Sequence, residues 1–219
     1  MNFNSHGTGF GRRHAATRPV RNAPHSVSRD HRPVAAFRQR GWQSGTKLED
    51  FSAPESWHEP CRRANVQYVV QPPGDGYRHA VSADEVRERL ARLPKAFTRQ
   101  LDVVQMSAMT RKRQLFPCYG MQWGSAVYLY PIEDSLVEIY HRPPTPQQRI
   151  EAGMYGGEWS QEGNVWKLSW TDETIRDFYL NNVLIHEVGH LNDARNTNSR
   201  DRERFANWFA IEYGYRATR

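Results

Sequence analysis

The chain has 219 residues, with 30 Lys and Arg against 24 Asp and Glu, and only 38% of it is hydrophobic. That length suits one domain with an extension. No run of 18 apolar residues supplies a membrane span, and two cysteines, Cys61 and Cys118, are too few for a disulfide framework.

The basic excess is confined to one end. Residues 1–47 carry nine Lys and Arg against one acid, Asp30, and the remainder is slightly acidic. This argues against a body built to bind nucleic acid. Residues 1–55 have few aliphatic side chains, no periodicity and scattered Pro, Gly and Ser, so they cannot bury enough apolar surface to offset the entropy of ordering. They are expected to form a disordered basic tail, with weak nucleic-acid contact through 1–47 as its secondary use. The N-terminus lacks the apolar core of a secretory signal, which makes cytoplasmic the expected location. The folded domain is expected over 56–219.

Folding signals begin at Asn65. "NVQYVVQ" reads as a strand ended by Pro72-Pro73-Gly74. Ser82-Ala83-Asp84-Glu85 is a capping box, and Val86, Leu90 and Leu93 form one apolar stripe, so 82–93 is a helix that Pro94 stops. The basic run Thr110–Arg113 reads as a solvated loop. "LDVVQMS", "SAVYLYPI" and "SLVEIYH" are rich in β-branched and aromatic residues and read as strands. A short helix is expected from Pro146. "EWSQEGNVWKLSW" reads as a hairpin around Glu162-Gly163-Asn164. Thr171 is an N-cap with acids in the first turn after it, and the spacing predicts a long helix from 172 to about 194. A last helix runs from about Arg200 to Tyr213.

The long helix carries the sequence His186-Glu187-Val188-Gly189-His190. At about 100° per residue, His190 lies about 40° from His186 and Glu187 about 100° away. Two imidazoles one turn apart can reach one ion at about 2.0–2.1 Å, while the glutamate lies off their shared axis, where it can meet a water instead. Leu180, Leu184, Val188 and Leu191 cover the opposite side, so the histidines belong in a cleft between packed elements. A catalytic zinc needs a third protein ligand. Asp193, Asp201 and Glu203 follow. Asp201 suits an N-cap. Asp193, short and a turn too far along, suits an acceptor behind the ligands or a solvent-facing group at the helix C-terminus. Glu203 is the better ligand, because Ala206 and Ala210 on its helix allow close approach. Asn207, one turn beyond Glu203, could accept from a ligand histidine's second nitrogen.

HEVGH on a long helix, followed by Glu203-x-x-Ala206-Asn207-x-Phe209-Ala210 on the next, resembles the zincin metallopeptidases, the gluzincin group among them, and most closely the ImmA/IrrE-type peptidases. The motifs cover Thr171 to Tyr213; for 65–170 only the order of elements is similar. The resemblance implies an α+β fold: a compact domain with a small mixed or antiparallel sheet, the HExxH helix and a C-terminal helix bearing a glutamate. It implies Zn2+ held by His186, His190 and Glu203, Glu187 as general base, Asn207 and Asp193 in supporting positions, and a peptide or protein substrate. Only 12 residues separate His190 from Glu203, short for gluzincins, so "LNDARNTNSRDR" must turn tightly.

Zinc acidifies a water and polarises a carbonyl, and the glutamate moves the proton. An oxyanion donor is also needed, for which Tyr213, Tyr215 and His141 are candidates. The substrate is expected to pair with an edge strand, drawn from "SLVEIYH" or "VWKLSW". Two rival readings stand beside the peptidase: a regulatory or binding protein on an inactive zincin scaffold, and a nucleic-acid-associated protein acting through its tail.

Overall fold

Val103–Met106 and Ala126–Leu129 are buried along their whole length, the pattern of strands covered on both faces. In this computed structural model, which describes residues 53–61 and 65–219, they are the two central strands of a four-stranded sheet. The strands are β1 (Gln67–Val70), β2 (Tyr77–Arg78), β3 (Val103–Met106), β4 (Gly120–Trp123), β5 (Ala126–Leu129), β6 (Ile132–Glu133), β7 (Val137–Tyr140), β8 (Glu158–Glu162) and β9 (Val165–Ser169). The main sheet has the order β1-β3-β5-β4, parallel except for β4, which pairs antiparallel with β5 and forms an edge. β7, β9 and β8 make a separate antiparallel sheet, and β2 pairs with β6. The expected β8–β9 hairpin turns at Gly163, whose φ of 58° is the left-handed conformation that glycine adopts without steric cost.

The helices are α1 (Ala83–Ala91), α2 (Lys95–Thr98), α3 (Arg111–Leu115), α4 (Pro146–Met154), α5 (Asp172–Phe178), α6 (Leu184–Leu191) and α7 (Ser199–Phe209). The capping box of α1 forms as read: Ser82 accepts from the Glu85 amide, and the Glu85 carboxylate accepts from the Ser82 amide at 2.8 Å. Thr145 with Gln148 and Thr171 with Thr174 cap α4 and α5 in the same way. The long helix is continuous from 172 to 191, but a π-wound turn over Tyr179–Val183 separates α5 from α6. A second π-wound turn, Ala210–Tyr215, follows α7. The two π turns pack together where Gly214 lies so close to the Asn181 carbonyl that a Cβ would stand 1.8 Å from its oxygen.

The sheet divides two cores by the period-2 rule. Val104, Met106, Val127 and Leu129 face the helices and join Val86, Leu90, Ile175, Leu184, Ile185, Val188 and Phe209. Val103, Ala126, Tyr128 and Tyr130 face the other way, with Met121, Trp123 and Cys118 against them. Segment 53–61 attaches to this second face. His58 bonds Gln105 at 2.8 Å and stacks on Tyr128, and the Cys61 amide donates to Asp102. Most of the expected basic tail lies outside the described residues, but Ala53 and Glu55, assigned to it by composition, are held by Arg113. The basic run is therefore no solvated loop. Arg113 is 3% exposed, pairs with Glu55 at 3.1 Å and lies 4.5 Å over the Tyr130 ring. Among the described residues, no helix is long and apolar enough to cross a membrane.

Candidate metal centre

α6 is apolar on most of its surface, so it is buried; His186 is buried with it and His190 is partly so. His186 and His190 lie one turn apart with their Nε2 atoms 3.0 Å from each other. The third group comes from α7. Glu203 Oε2 stands 3.5 Å from His186 Nε2, and Glu203 Oε1 stands 3.3 Å from His190 Nε2. Three donors at about 2.0–2.1 Å from one tetrahedral ion would stand about 3.3 Å apart. The separations here, 3.0 to 3.5 Å with one Glu203 oxygen nearest each imidazole, are close to that size. Among the described residues, these three form the group of His, Cys, Asp and Glu side chains that could hold a metal.

Two small residues let α7 come this close. A Cβ on Gly189 would lie 3.0 Å from the Ala206 Cα and 3.0 Å from the Phe209 Cβ. The glycine inside HEVGH and the fully buried Ala206 thus form a seam along which the two helices touch. The 12-residue interval from His190 to Glu203 does turn tightly. Asp193 Oδ1 accepts from the Arg195 and Asn196 amides at 3.3 and 3.1 Å, and the Asn196 side chain donates to both carboxylate oxygens. Asn198 then caps α7 by accepting from the Asp201 amide. Asp193 was expected beside the histidines as an acceptor. Its hydrogen bonds organise the turn instead, because the helix ends at Leu191 and carries the carboxylate onto the loop backbone.

Burial by itself would raise the Glu203 pKa, but the two imidazoles outweigh it and hold the carboxyl well below the usual carboxylate range. His190 shows the reverse. Burial disfavours its charge, yet Glu203 and Glu187 raise its pKa. The cluster therefore already favours positive charge at its centre. Asn207 lies one turn beyond Glu203, where the sequence put it. Its Oδ1 and His190 Nδ1 are both buried without a hydrogen-bond partner, a matched acceptor and donor that the structure does not join.

Glu187 lies beside the cluster, packed on β4. A Cβ on Gly120 would meet the Glu187 Cγ at 3.0 Å and Val183 at 2.7 Å. β4 is thus the strand along the cleft, and its outer edge pairs with no other strand among the described residues. β7 and β9 were expected here. Both lie in the separate three-stranded sheet, with β9 at its centre. "GMQW" carries no alternation and was not read as a strand; only its placement against α6 identifies it. Arg202, also unread, reaches from α7 toward β4, where Nη2 stands 3.4 Å from Gln122 Oε1.

The candidate oxyanion donors are elsewhere. Tyr213 packs among Phe97, Phe209 and Trp208, Tyr215 packs on Tyr155 and Arg219, and His141 is exposed after β7. Cys118 is partly buried close to Glu187, and desolvation pushes its thiol up to about 12, which disfavours the reactive thiolate. No protein-family model, curated protein or solved structure matches the chain.

Proposed function

We propose that the chain is a zinc-dependent peptidase of the HExxH type with a zincin-like arrangement. The observation that carries this reading is the convergence of His186 Nε2, His190 Nε2 and the Glu203 carboxylate, whose two oxygens stand 3.5 and 3.3 Å from the imidazoles, with Glu187 beside them. The donor set fits zinc, since two imidazoles and one carboxylate leave a fourth position open. A zinc ion held there supplies Lewis acidity, which acidifies a water and polarises a carbonyl.

The protein's own groups do the rest. Glu187 accepts a proton from the attacking water and delivers it to the departing amine. The unpaired edge of β4 offers backbone donors and acceptors to an extended chain, which would align a peptide along the cleft. Arg202, on the helix that carries Glu203, donates to Gln122 of β4 and brings a positive charge to the edge strand. A non-catalytic scaffold would have no need of a carboxylate in the Glu187 position.

The test is elemental analysis of purified protein with His190→Ala and Glu203→Ala, followed by peptide cleavage with Glu187→Gln. About one zinc per chain, lost or sharply weakened in both ligand variants, is expected, together with an inactive Glu187→Gln that keeps its zinc. Wild-type protein without zinc after reconstitution would sink the reading. Zinc with no hydrolysis of any peptide in a mixed library would leave a metal-binding scaffold.

A further inference from the structure

The hydrogen-bonding phase of β4 fixes which of its backbone groups face outward. Tyr119, just ahead of the strand, accepts from the Tyr130 amide at 2.9 Å. The register then runs Gly120 with Leu129, Met121 with Tyr128 and Gln122 with Val127. In an antiparallel ladder, pairs that exchange hydrogen bonds alternate with pairs that do not. Tyr119 and Tyr130 are bonded, so Met121 and Tyr128 are too, and Gly120 and Gln122 fall in the other class. The Leu129 carbonyl has the matching phase, since it accepts from the Ser107 amide on the β3 side at 2.8 Å. The amides and carbonyls of Gly120 and Gln122 therefore point to the open edge, where no strand pairs with them among the described residues.

The side chains alternate as well. Met121 and Trp123 belong to the second core, so position 120 and Gln122 face the other way, toward α6 and α7. Gly120 has no side chain, and Glu187 packs against the place where one would be. Two residues on, about 7 Å along the strand, Gln122 meets Arg202. The Gln122 Nε2 donates to the Gly124 carbonyl at 2.6 Å, which leaves Oε1 for the guanidinium.

Arg202 carries a charge that the described residues do not neutralise. It directly precedes Glu203 and lies about 40° from Ala206, on the stripe of α7 that touches α6. Its charge acts on His190 and on Asp193, in each case against the protonated form. The neighbouring Arg204 pairs with Asp201, but among the described residues Arg202 pairs with no carboxylate, and its contact is the long 3.4 Å bond to the neutral Gln122. Its Nε and Nη1 make no hydrogen bond there, and neither is sealed from solvent. A guanidinium has five N–H donors in a flat fork that matches a carboxylate, and here one of them is used. An extended chain laid on the open edge places each of its side chains on the same face as the β4 residue it pairs with. The residue opposite Gly120 faces Glu187, and the next residue on that face, opposite Gln122, faces Arg202. A carboxylate at that place would take the fork that Gln122 holds weakly, whereas a lysine or arginine would meet like charge.

We infer, resting on the peptidase reading, that Arg202 selects substrates with an aspartate or glutamate at the second or third residue to one side of the scissile bond. The bond flanks the residue opposite Gly120, because the base lies over that residue, and the acid lies opposite Gln122. The test digests a mixed peptide library with the full chain loaded with zinc and maps the cleavage sites by mass spectrometry. Preferences are read as ratios within one digest, so a change in overall rate cancels. Wild type is expected to favour Asp and Glu over Asn and Gln at that position by at least about tenfold. Arg202→Gln should remove the preference, and Arg202→Glu should turn it toward Lys and Arg at the same position. Indifference of the wild type to acid at every position overturns the inference, and so does an acid preference that survives either substitution. If zinc is bound and no peptide is cleaved, fluorescently labelled alanine-rich peptides bearing one Glu or one Gln are titrated by anisotropy. Tighter binding of the Glu peptide that Arg202→Gln abolishes keeps the subsite and removes the peptidase; equal binding removes both.

Discussion

Glu203, partly buried, and Glu138, fully buried, are carboxyl groups whose surroundings drive them in opposite directions. Glu203 faces two imidazoles, and its pKa falls. Glu138 is fully enclosed, and burial outweighs three hydrogen bonds to lift its pKa to about 7. Desolvation disfavours the charged form in both; only a cationic partner reverses the outcome. The contrast separates two kinds of buried acid. One is arranged around positive charge, as a metal ligand must be. The other is arranged around neutral donors, and holds its proton far into the pH range where an ordinary glutamate has lost it.

The sharpest way to break this contrast is at the reacting groups. Glu187→Gln should lower peptide hydrolysis by at least about 10³-fold, about 4 kcal/mol, with zinc content unchanged, because it removes the proton acceptor and keeps the shape. A cleavage assay beside elemental analysis reads both.

Glu138 gives the next largest effect. Its folded pKa lies above the ordinary glutamate value of 4.5, so the folded state binds more protons between about 4.5 and 7. Its favourable contribution is complete below about 4.5 and is lost as pH rises through about 7. The groups facing it are Tyr119, Tyr140, Trp170, Tyr179 and Glu133. Over that window the linkage amounts to roughly 3 kcal/mol. Urea unfolding of Glu138→Gln should show a flatter pH dependence across it than wild type. An unchanged slope would mean the carboxyl is not the buried group described.

Gly189→Val tests the seam that carries Glu203 to the histidines. Overpacking there should destabilise the fold by about 1–3 kcal/mol and weaken zinc binding at the same time. Loss of stability with zinc affinity intact would separate helix contact from ligand placement. Asn207→Ala should weaken zinc about 10–100-fold if the orphaned Asn207 and His190 atoms meet when the ion binds. The smallest effect belongs to Asp193→Asn. It should cost about 1 kcal/mol through the turn and leave zinc affinity unchanged, whereas a direct acceptor role would lower both.

Much of the candidate site was legible because its parts are local. Four-residue spacing on a helix fixes the histidines and the base relative to one another, and Glu203 with its small neighbours repeats on a helical stripe. The capping boxes were legible for the same reason. What the sequence concealed depends on contacts between distant segments. β4 carries no pattern of its own and is a strand only because β5 pairs with it. Arg113 reads as a surface charge until Glu55, 58 residues earlier, meets it. In β7 the alternation opposes hydrophobicity: Glu138 and Tyr140 are buried, while Val137 and Ile139 are only partly so. No periodicity rule would turn a glutamate inward there. The π turns were hidden too, since they arise where the two helical segments press Gly214 against Asn181.

The Gly189–Ala206 seam also sets how the protein would exchange its metal. In a small zinc module the ion is the fastener: without it the ligands scatter and the chain unfolds. Here the two ligand-bearing helices are docked through carbon contacts that owe nothing to an ion, and closing the intervening 12 residues costs only a few kcal/mol that the docking already offsets. The ligands therefore wait in position. Stripping the metal should leave a folded, reloadable protein, in which zinc acts as a removable reagent and not as a structural rivet.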